Sequence, residues 1–182
     1  MSAFIDLPGR AYEVNLAIGD YYFGKAGTRI STLLGSCVAV TFWHPQLRVG
    51  GMCHALLPGR RERGQGLDGK YTDEAVELLL RALAPYKRPL REFQVKLFGA
   101  GNMFPDFIVV GAVADVAYRN AQAAREISAR LGLNVIAEDL GGLGHRKVLF
   151  DLASGDVWVR QDPLRRPPRM AAALPRELHE TH

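Results

Sequence analysis

The 182-residue chain is poor in cysteine, with Cys37 and Cys53 alone. Two thiols cannot build a disulfide scaffold, and so few suit a reducing compartment. Long apolar runs are lacking as well. The longest, Phe107 to Ala114, is cut by Asp115 and falls well short of the about 20 residues that a membrane-spanning helix needs. The start, Met1-Ser-Ala-Phe-Ile-Asp6, has neither the basic region nor the apolar core of a secretory signal. The expected location is therefore the cytoplasm, without membrane insertion. No internal repeat of solenoid period occurs. Excess charge of one sign is small: 23 Lys and Arg against 19 Asp and Glu leave +4 and a pI near 9.3. Arg-rich loops and tails give the same balance, and no strand interleaves aromatic and basic residues on one face, so no nucleic-acid partner is expected.

What is present is apolar residue, 48% of the chain, enough at this length for one domain that buries roughly 70% of its unfolded surface. Tyr12, Val14, Leu16 and Ile18 alternate with Glu13, Asn15 and Ala17, which predicts a strand with one buried face. Extended segments follow over about Thr28 to Leu34, Ser36 to Trp43 and Arg48 to Leu57, the last two joined by a turn at His44-Pro45-Gln46-Leu47. Pro58 to Lys70, with four Gly, three Arg and one Lys, reads as a mobile basic loop. A helix capped by Thr72 then carries Ala75, Leu78, Leu79, Ala82 and Leu83 on its inner face and stops at Pro85. Strands are expected over Phe93 to Phe98, Leu133 to Glu138, Arg146 to Leu152 and Val157 to Gln161. A second helix runs from a cap at Asn120 to Leu131, ended by Gly132. The glycine clusters Gly99-Ala-Gly101 and Gly141-Gly-Leu-Gly144 lack the spacing of dinucleotide or P-loop fingerprints and read as turns. The domain is expected to span 1–162. The segment 163–182, with four Pro and four Arg, reads as a disordered basic tail.

The hairpin bears on chemistry. A turn leaving either Pro45-Gln46 or His44 to Leu47 unpaired sets Trp43 against Arg48 and Cys37 against His54, with Cys53 on the other face. That parity speaks against a Cys37–Cys53 disulfide. It also speaks against zinc held by Cys37, His44, Cys53 and His54, because adjacent strand residues diverge. His44, in the turn, is expected to be solvated. Cys53, beside Met52 and Ala55, reads as a small core residue. Cys37 has two readings, another buried hydrophobe or a nucleophile served by His54, and Gly35-Ser36 before it adds backbone N–H groups free to approach a ligand.

Several separate motifs occur in one order: Leu34-Gly-Ser-Cys-Val-Ala-Val40, Gly50-Gly-Met-Cys-His-Ala-Leu-Leu-Pro58, Val95-Lys-Leu-Phe-Gly99 with Asn102-Met-Phe104, Arg119-Asn120, and Asp139-Leu-Gly-Gly142 with Gly144-His-Arg-Lys147. Together, from about Tyr12 to Gln161, the chain resembles the chemoreceptor glutamine deamidases of the CheD family. The resemblance implies a cysteine hydrolase, a protein-glutamine glutaminase that converts glutamines of methyl-accepting chemotaxis receptors to glutamate without metal or organic cofactor. The family's nucleophile falls on Cys37 and its histidine on His54, seventeen residues apart as in the family. Its third member, a threonine six residues before the cysteine, falls on Ser31, with Thr32 beside it, so the orienting hydroxyl is Ser31 or Thr32. Backbone N–H groups around Gly35 and Ser36 are the expected oxyanion donors, the Cys37 thiol is expected to be partly ionised through His54, and the 60–70 loop is a candidate rim of a shallow groove. The implied fold is α/β, a single domain of mixed β-sheets packed in a sandwich with flanking helices, similar to the catalytic domains of cytotoxic necrotizing factors. A CheC-type phosphatase is an implied partner of a chain that is otherwise monomeric. The alternative function is a non-catalytic adaptor that binds receptors and that phosphatase.

Overall fold

The computed structural model describes residues 11–62, 64–103 and 113–162. The tail 163–182 and most of the apolar run that begins at Phe107 lie outside them. Among the described residues, nine strands and two α-helices form an α/β domain with two mixed sheets: β1(Tyr12–Asn15), β2(Tyr21–Lys25), β3(Thr28–Leu34), β4(Val38–His44), β5(Val49–Ala55), α1(Thr72–Leu83), β6(Gln94–Gly99), α2(Val113–Arg130), β7(Asn134–Leu140), β8(His145–Asp151) and β9(Val157–Asp162). The orders are β1-β3-β8-β9 and β2-β5-β4-β6-β7. No described helix is long and apolar enough to cross a membrane.

Strand alternation divides the core in two. Ile30, Leu34, Cys37, Ala39, Met52, Phe98, Val148 and Phe150 fill the space between the sheets. Val38, Val40, Phe42, Cys53 and Ala55 turn the other way, onto Ala75, Val76, Leu79 and Leu83 of α1 and Ala121, Ala124 and Ile127 of α2. The molecule therefore has three layers, sheet on sheet on helices. β5 is buried along its whole length, so the residues that follow the hairpin are held from both sides.

Several expectations are corrected. The hairpin turn takes four residues, Pro45 to Arg48. Arg48 adopts φ 50°, and its N–H donates to the His44 carbonyl at 2.8 Å. His44 thus pairs with Val49, and His54 faces Ala39 rather than Cys37. Because the slip is two residues, the faces are unchanged. Cys37 and His54 remain on the sandwich face as diagonal neighbours, and Cys53 remains on the helix face. His44 is buried, not solvated: its Nε2 lies 3.1 Å from Glu92 and its ring packs edge-on against Phe93.

The first strand ends at Asn15, an edge position that leaves Tyr12 and Ile18 exposed and only Leu16 fully buried. β2, unforeseen because Tyr21-Tyr-Phe-Gly-Lys25 lacks alternation, pairs antiparallel with β5. The α1 cap position is Tyr71. Thr72 is the first helical residue and gives its hydroxyl to the Leu57 carbonyl at 2.9 Å. Leu78 and Ala82 are only half buried, and Val76 takes the inward place. Asn120 lies inside α2, which begins seven residues earlier at Val113, so it caps nothing.

The 58–70 segment is tied down rather than loose. Buried Glu74 receives Arg60 Nε at 2.7 Å and Nη2 at 2.9 Å together with the Asp68 N–H at 2.8 Å, and the Arg60 guanidinium stacks over Tyr71. A carboxylate without water is satisfied by such charge-assisted donors, and the loop is shaped around it.

Candidate active site

Cys37 lies one residue ahead of β4, where the chain leaves the ladder, and is nearly buried. Three successive carbonyls at this point are anchored. Gly35 O accepts from Gly101 N at 2.8 Å, Ser36 O from Asn120 Nδ2 at 2.8 Å, and Cys37 O from Ala100 N at 2.7 Å. Close approach of the 99–101 turn makes this possible. Gly99 has φ 112°, and a Cβ there would overlap the Cys37 carbonyl oxygen, while a Cβ at Gly101 would overlap that of Gly144. The Gly141–Gly144 turn braces the other side of the 99–102 turn, with Asn102 N donating to Gly142 O at 2.8 Å and Gly144 N to Asn102 O at 3.0 Å. Beneath it, buried Arg146 donates to the Asp139 carbonyl at 2.6 Å, to the Asp139 carboxylate at 2.5 Å and to the Gly141 carbonyl. Both glycine clusters thus serve to shape the Cys37 loop.

His54 is held equally firmly. Its N–H donates to Asp20 O at 2.9 Å and its carbonyl accepts from Gly19 N at 2.8 Å, so the 17–20 turn clasps its backbone. Its Nδ1 lies 2.8 Å from Thr32 Oγ1, and Thr32 Oγ1 donates to Leu16 O at 2.9 Å. A hydroxyl has one hydrogen. With that hydrogen spent on Leu16, Thr32 accepts from His54 Nδ1–H, which leaves Nε2 as the ring's bare lone pair. Nε2 is buried and has no hydrogen-bond partner among the described residues. Ser31 points to the opposite face of β3, where its hydroxyl donates to Asn15 Oδ1 at 3.3 Å. Of the two candidate hydroxyls, Thr32 is therefore the one beside the imidazole.

Burial dominates the titration of both groups. It raises the Cys37 thiol above its ordinary value, against a smaller opposing effect of the residue's own backbone N–H. It lowers His54, against smaller opposing effects of the Leu16 carbonyl and the Asp20 charge. Both shifts favour the neutral forms, thiol and imidazole. Cys53, fully buried, is pushed up to about 12 and is chemically inert. No group of three or more His, Cys, Asp and Glu side chains among the described residues is placed to hold a metal ion.

Sequence reasoning missed the contact of Asn120 with this loop. The available signal was an Asn within a helical pattern, a position that residue fills poorly unless its side chain has other partners.

The site can therefore present a thiol, a correctly tautomerised base and anchored backbone at the end of one sheet. A family model described as CheD chemotactic sensory transduction matches residues 56–161. Similar curated proteins bear the name "Probable chemoreceptor glutamine deamidase CheD". That of Pseudomonas fluorescens is 51% identical over 152 residues, covering 84% of this chain and 86% of the relative. That of Pseudomonas savastanoi pv. phaseolicola is 49% identical over 161 residues, 88% of this chain and 90% of the relative. A "CheD 1" of Leptospira interrogans is 36% identical over 161 residues, with 85% and 95% covered. A match of 161 residues within a chain of 182 necessarily spans Thr32, Cys37 and His54. With these relatives covered nearly end to end and the motifs lying on the loops that build the site, the chain belongs to the CheD family.

Proposed function

We propose that this chain deamidates glutamine side chains of chemoreceptors through a thioester on Cys37. The observation that carries the reading is the unpartnered Nε2 of buried His54, its tautomer fixed by Thr32, on the same sheet face as Cys37. A buried acceptor without a partner costs stability, and a base awaiting a proton is the use that explains it. The family name borne by the relatives supplies the substrate class.

The steps balance. The Cys37 proton passes to His54 Nε2 as Sγ attacks the carboxamide carbon, and backbone N–H groups from Gly35 through Ser36 to Cys37 receive the developing oxyanion. Collapse expels ammonia, which takes the proton from Nε2–H and leaves a thioester. Water, deprotonated by Nε2, attacks the thioester. The products are glutamate and the regenerated thiol, so one water is consumed for each ammonia released. Thr32 holds the ring through Nδ1 and stabilises the transient imidazolium. The sandwich with flanking helices supports a Cys/His hydrolase fold similar to cytotoxic necrotizing factor catalytic domains. A receptor substrate implies action in the cytoplasm, by a chain that is monomeric when free and has a CheC-type phosphatase as a second partner. The 60–70 loop, joined to β5 through the Leu56 and Leu57 N–H bonds to Lys70 O, is the proposed substrate rim.

The test is incubation of a chemoreceptor with the protein and peptide mass spectrometry for amide-to-acid conversion. An absence of conversion by wild type contradicts the reading. The same assay separates the two hydroxyls. Thr32→Val removes the acceptor for Nδ1–H and is expected to lower kcat about 10- to 100-fold, whereas Ser31→Ala stays within about twofold of wild type. The reverse order would place the orienting residue at Ser31.

A further inference from the structure

Asn120 comes from the middle of α2, is completely buried, and reaches two backbone points of the site at once. Its Nδ2 donates to Ser36 O and to Leu56 O, each at 2.8 Å. The first carbonyl belongs to the residue before Cys37, the second to the residue two beyond His54. Only an NH2 group can face two carbonyl oxygens, so the orientation of the amide is fixed by chemistry. Its Oδ1 is buried with no hydrogen-bond partner among the described residues. For the helix alone this is a poor arrangement, since Ala suits a helix interior better and would remove the stranded Oδ1, but Ala would leave the Ser36 and Leu56 carbonyls without this donor. The gain lies at the two carbonyls.

A trans peptide is planar, with its C=O and N–H directed oppositely. With Ser36 O drawn toward α2, the Cys37 N–H must point away from the helix layer. That is the side on which Cys37 itself packs, between the sheets, and on which His54 lies. An oxyanion formed by attack of the Cys37 sulfur therefore arises next to this donor.

We propose that Asn120 is a positioning residue of the reaction: its carboxamide aims the Cys37 N–H at the developing oxyanion and ties the Cys37 loop to the end of the strand that carries His54. The inference rests on the reading of Cys37 as nucleophile. It makes Asn120 responsible for rate rather than for substrate affinity or thiol reactivity, because alkylation of a thiol by iodoacetamide develops no oxyanion.

The experiment compares wild type, Cys37→Ala, Asn120→Ala and Asn120→Asp on chemoreceptor deamidation and, in parallel, on the iodoacetamide alkylation rate of Cys37. Asn120→Ala is expected to lose about 100-fold in kcat, with KM and alkylation rate within about threefold of wild type. A kcat within about threefold of wild type overturns the proposal, and so does a loss seen in KM alone or equally in alkylation. Should Asn120→Ala not fold, the isosteric Asn120→Asp decides. Its carboxylate donates nothing, whereas its protonated form donates one hydrogen bond, so its activity relative to wild type must rise as pH is lowered from 8 to 6. A ratio independent of pH overturns the proposal. Inactive wild type or active Cys37→Ala would instead refute the nucleophile assignment itself, which keeps the two failures distinguishable.

Discussion

Chemoreceptor glutamines incubated with the Cys37→Ala protein are expected to remain amides, with deamidation slowed about 10⁴-fold or more relative to wild type. Nothing else in the described site can form the thioester. Cys53 points into the layer between the five-stranded sheet and the helices, and burial holds its thiol near 12. Thr32 has its single hydrogen committed to Leu16 O. The substitution itself is mild, because Cys37 packs among Ala39, Met52 and Phe98 as a small side chain and Ala keeps most of that contact. Loss of activity in a folded protein thus reports the sulfur and not the fold. Cys53→Ala is the matched control, expected within about threefold of wild type, since it removes one buried sulfur from a face that meets no substrate.

The second large effect is at His54. His54→Gln keeps the volume and a group able to meet Thr32, but offers no base at the Nε2 position, and kcat is expected to fall about 10³- to 10⁴-fold. The pH profile carries the sign of the burial effect. In the proposed mechanism His54 acts only while neutral, and burial lowers its pKa, so the acid limb of kcat/KM in wild type should lie below the ordinary imidazole value of about 6.5. The thiol, raised by burial, stays protonated through neutral pH. Its proton therefore moves during attack rather than before it. Alkylation of Cys37 in the free enzyme should accordingly be slow at neutral pH and climb as pH rises. A rate already at its plateau at pH 6 would indicate a preformed thiolate–imidazolium pair and contradict this order of events.

The parity of the hairpin was legible in the sequence and its register was not. Alternation places Cys37 and His54 on one face for any odd sum of paired numbers, so that conclusion survived a two-residue slip. The slip came from Arg48, whose left-handed backbone lengthens the turn to four residues, and a non-glycine in that conformation leaves no compositional mark. The buried state of His44 was hidden for a related reason. It depends on Glu92 and Phe93, some fifty residues away, and local polarity cannot report such a partner. Both helices were legible from periodicity, and Ala75, Leu79 and Leu83 marked the inner face of α1 without Val76; the start of α2 was not, because Asn120 imitated a cap while serving two distant carbonyls. Ser31 and Thr32 were inseparable by spacing. In the strand the two face opposite sides, Thr32 toward His54 and Ser31 toward Asn15. The basic loop looked mobile because its organiser, Glu74, lies in the following helix and reads there as an ordinary first-turn acid.

The central claim is that the reaction passes through sulfur at residue 37. The most direct measurement is acid quenching of wild-type protein during turnover of a glutamine-containing receptor peptide, followed by mass spectrometry of the intact protein and its peptide map. The account predicts an adduct of the peptide less ammonia, on Cys37, that grows in His54→Gln protein if hydrolysis slows more than acylation and is absent from Cys37→Ala. An adduct on Cys53, or undiminished deamidation by Cys37→Ala, would contradict it.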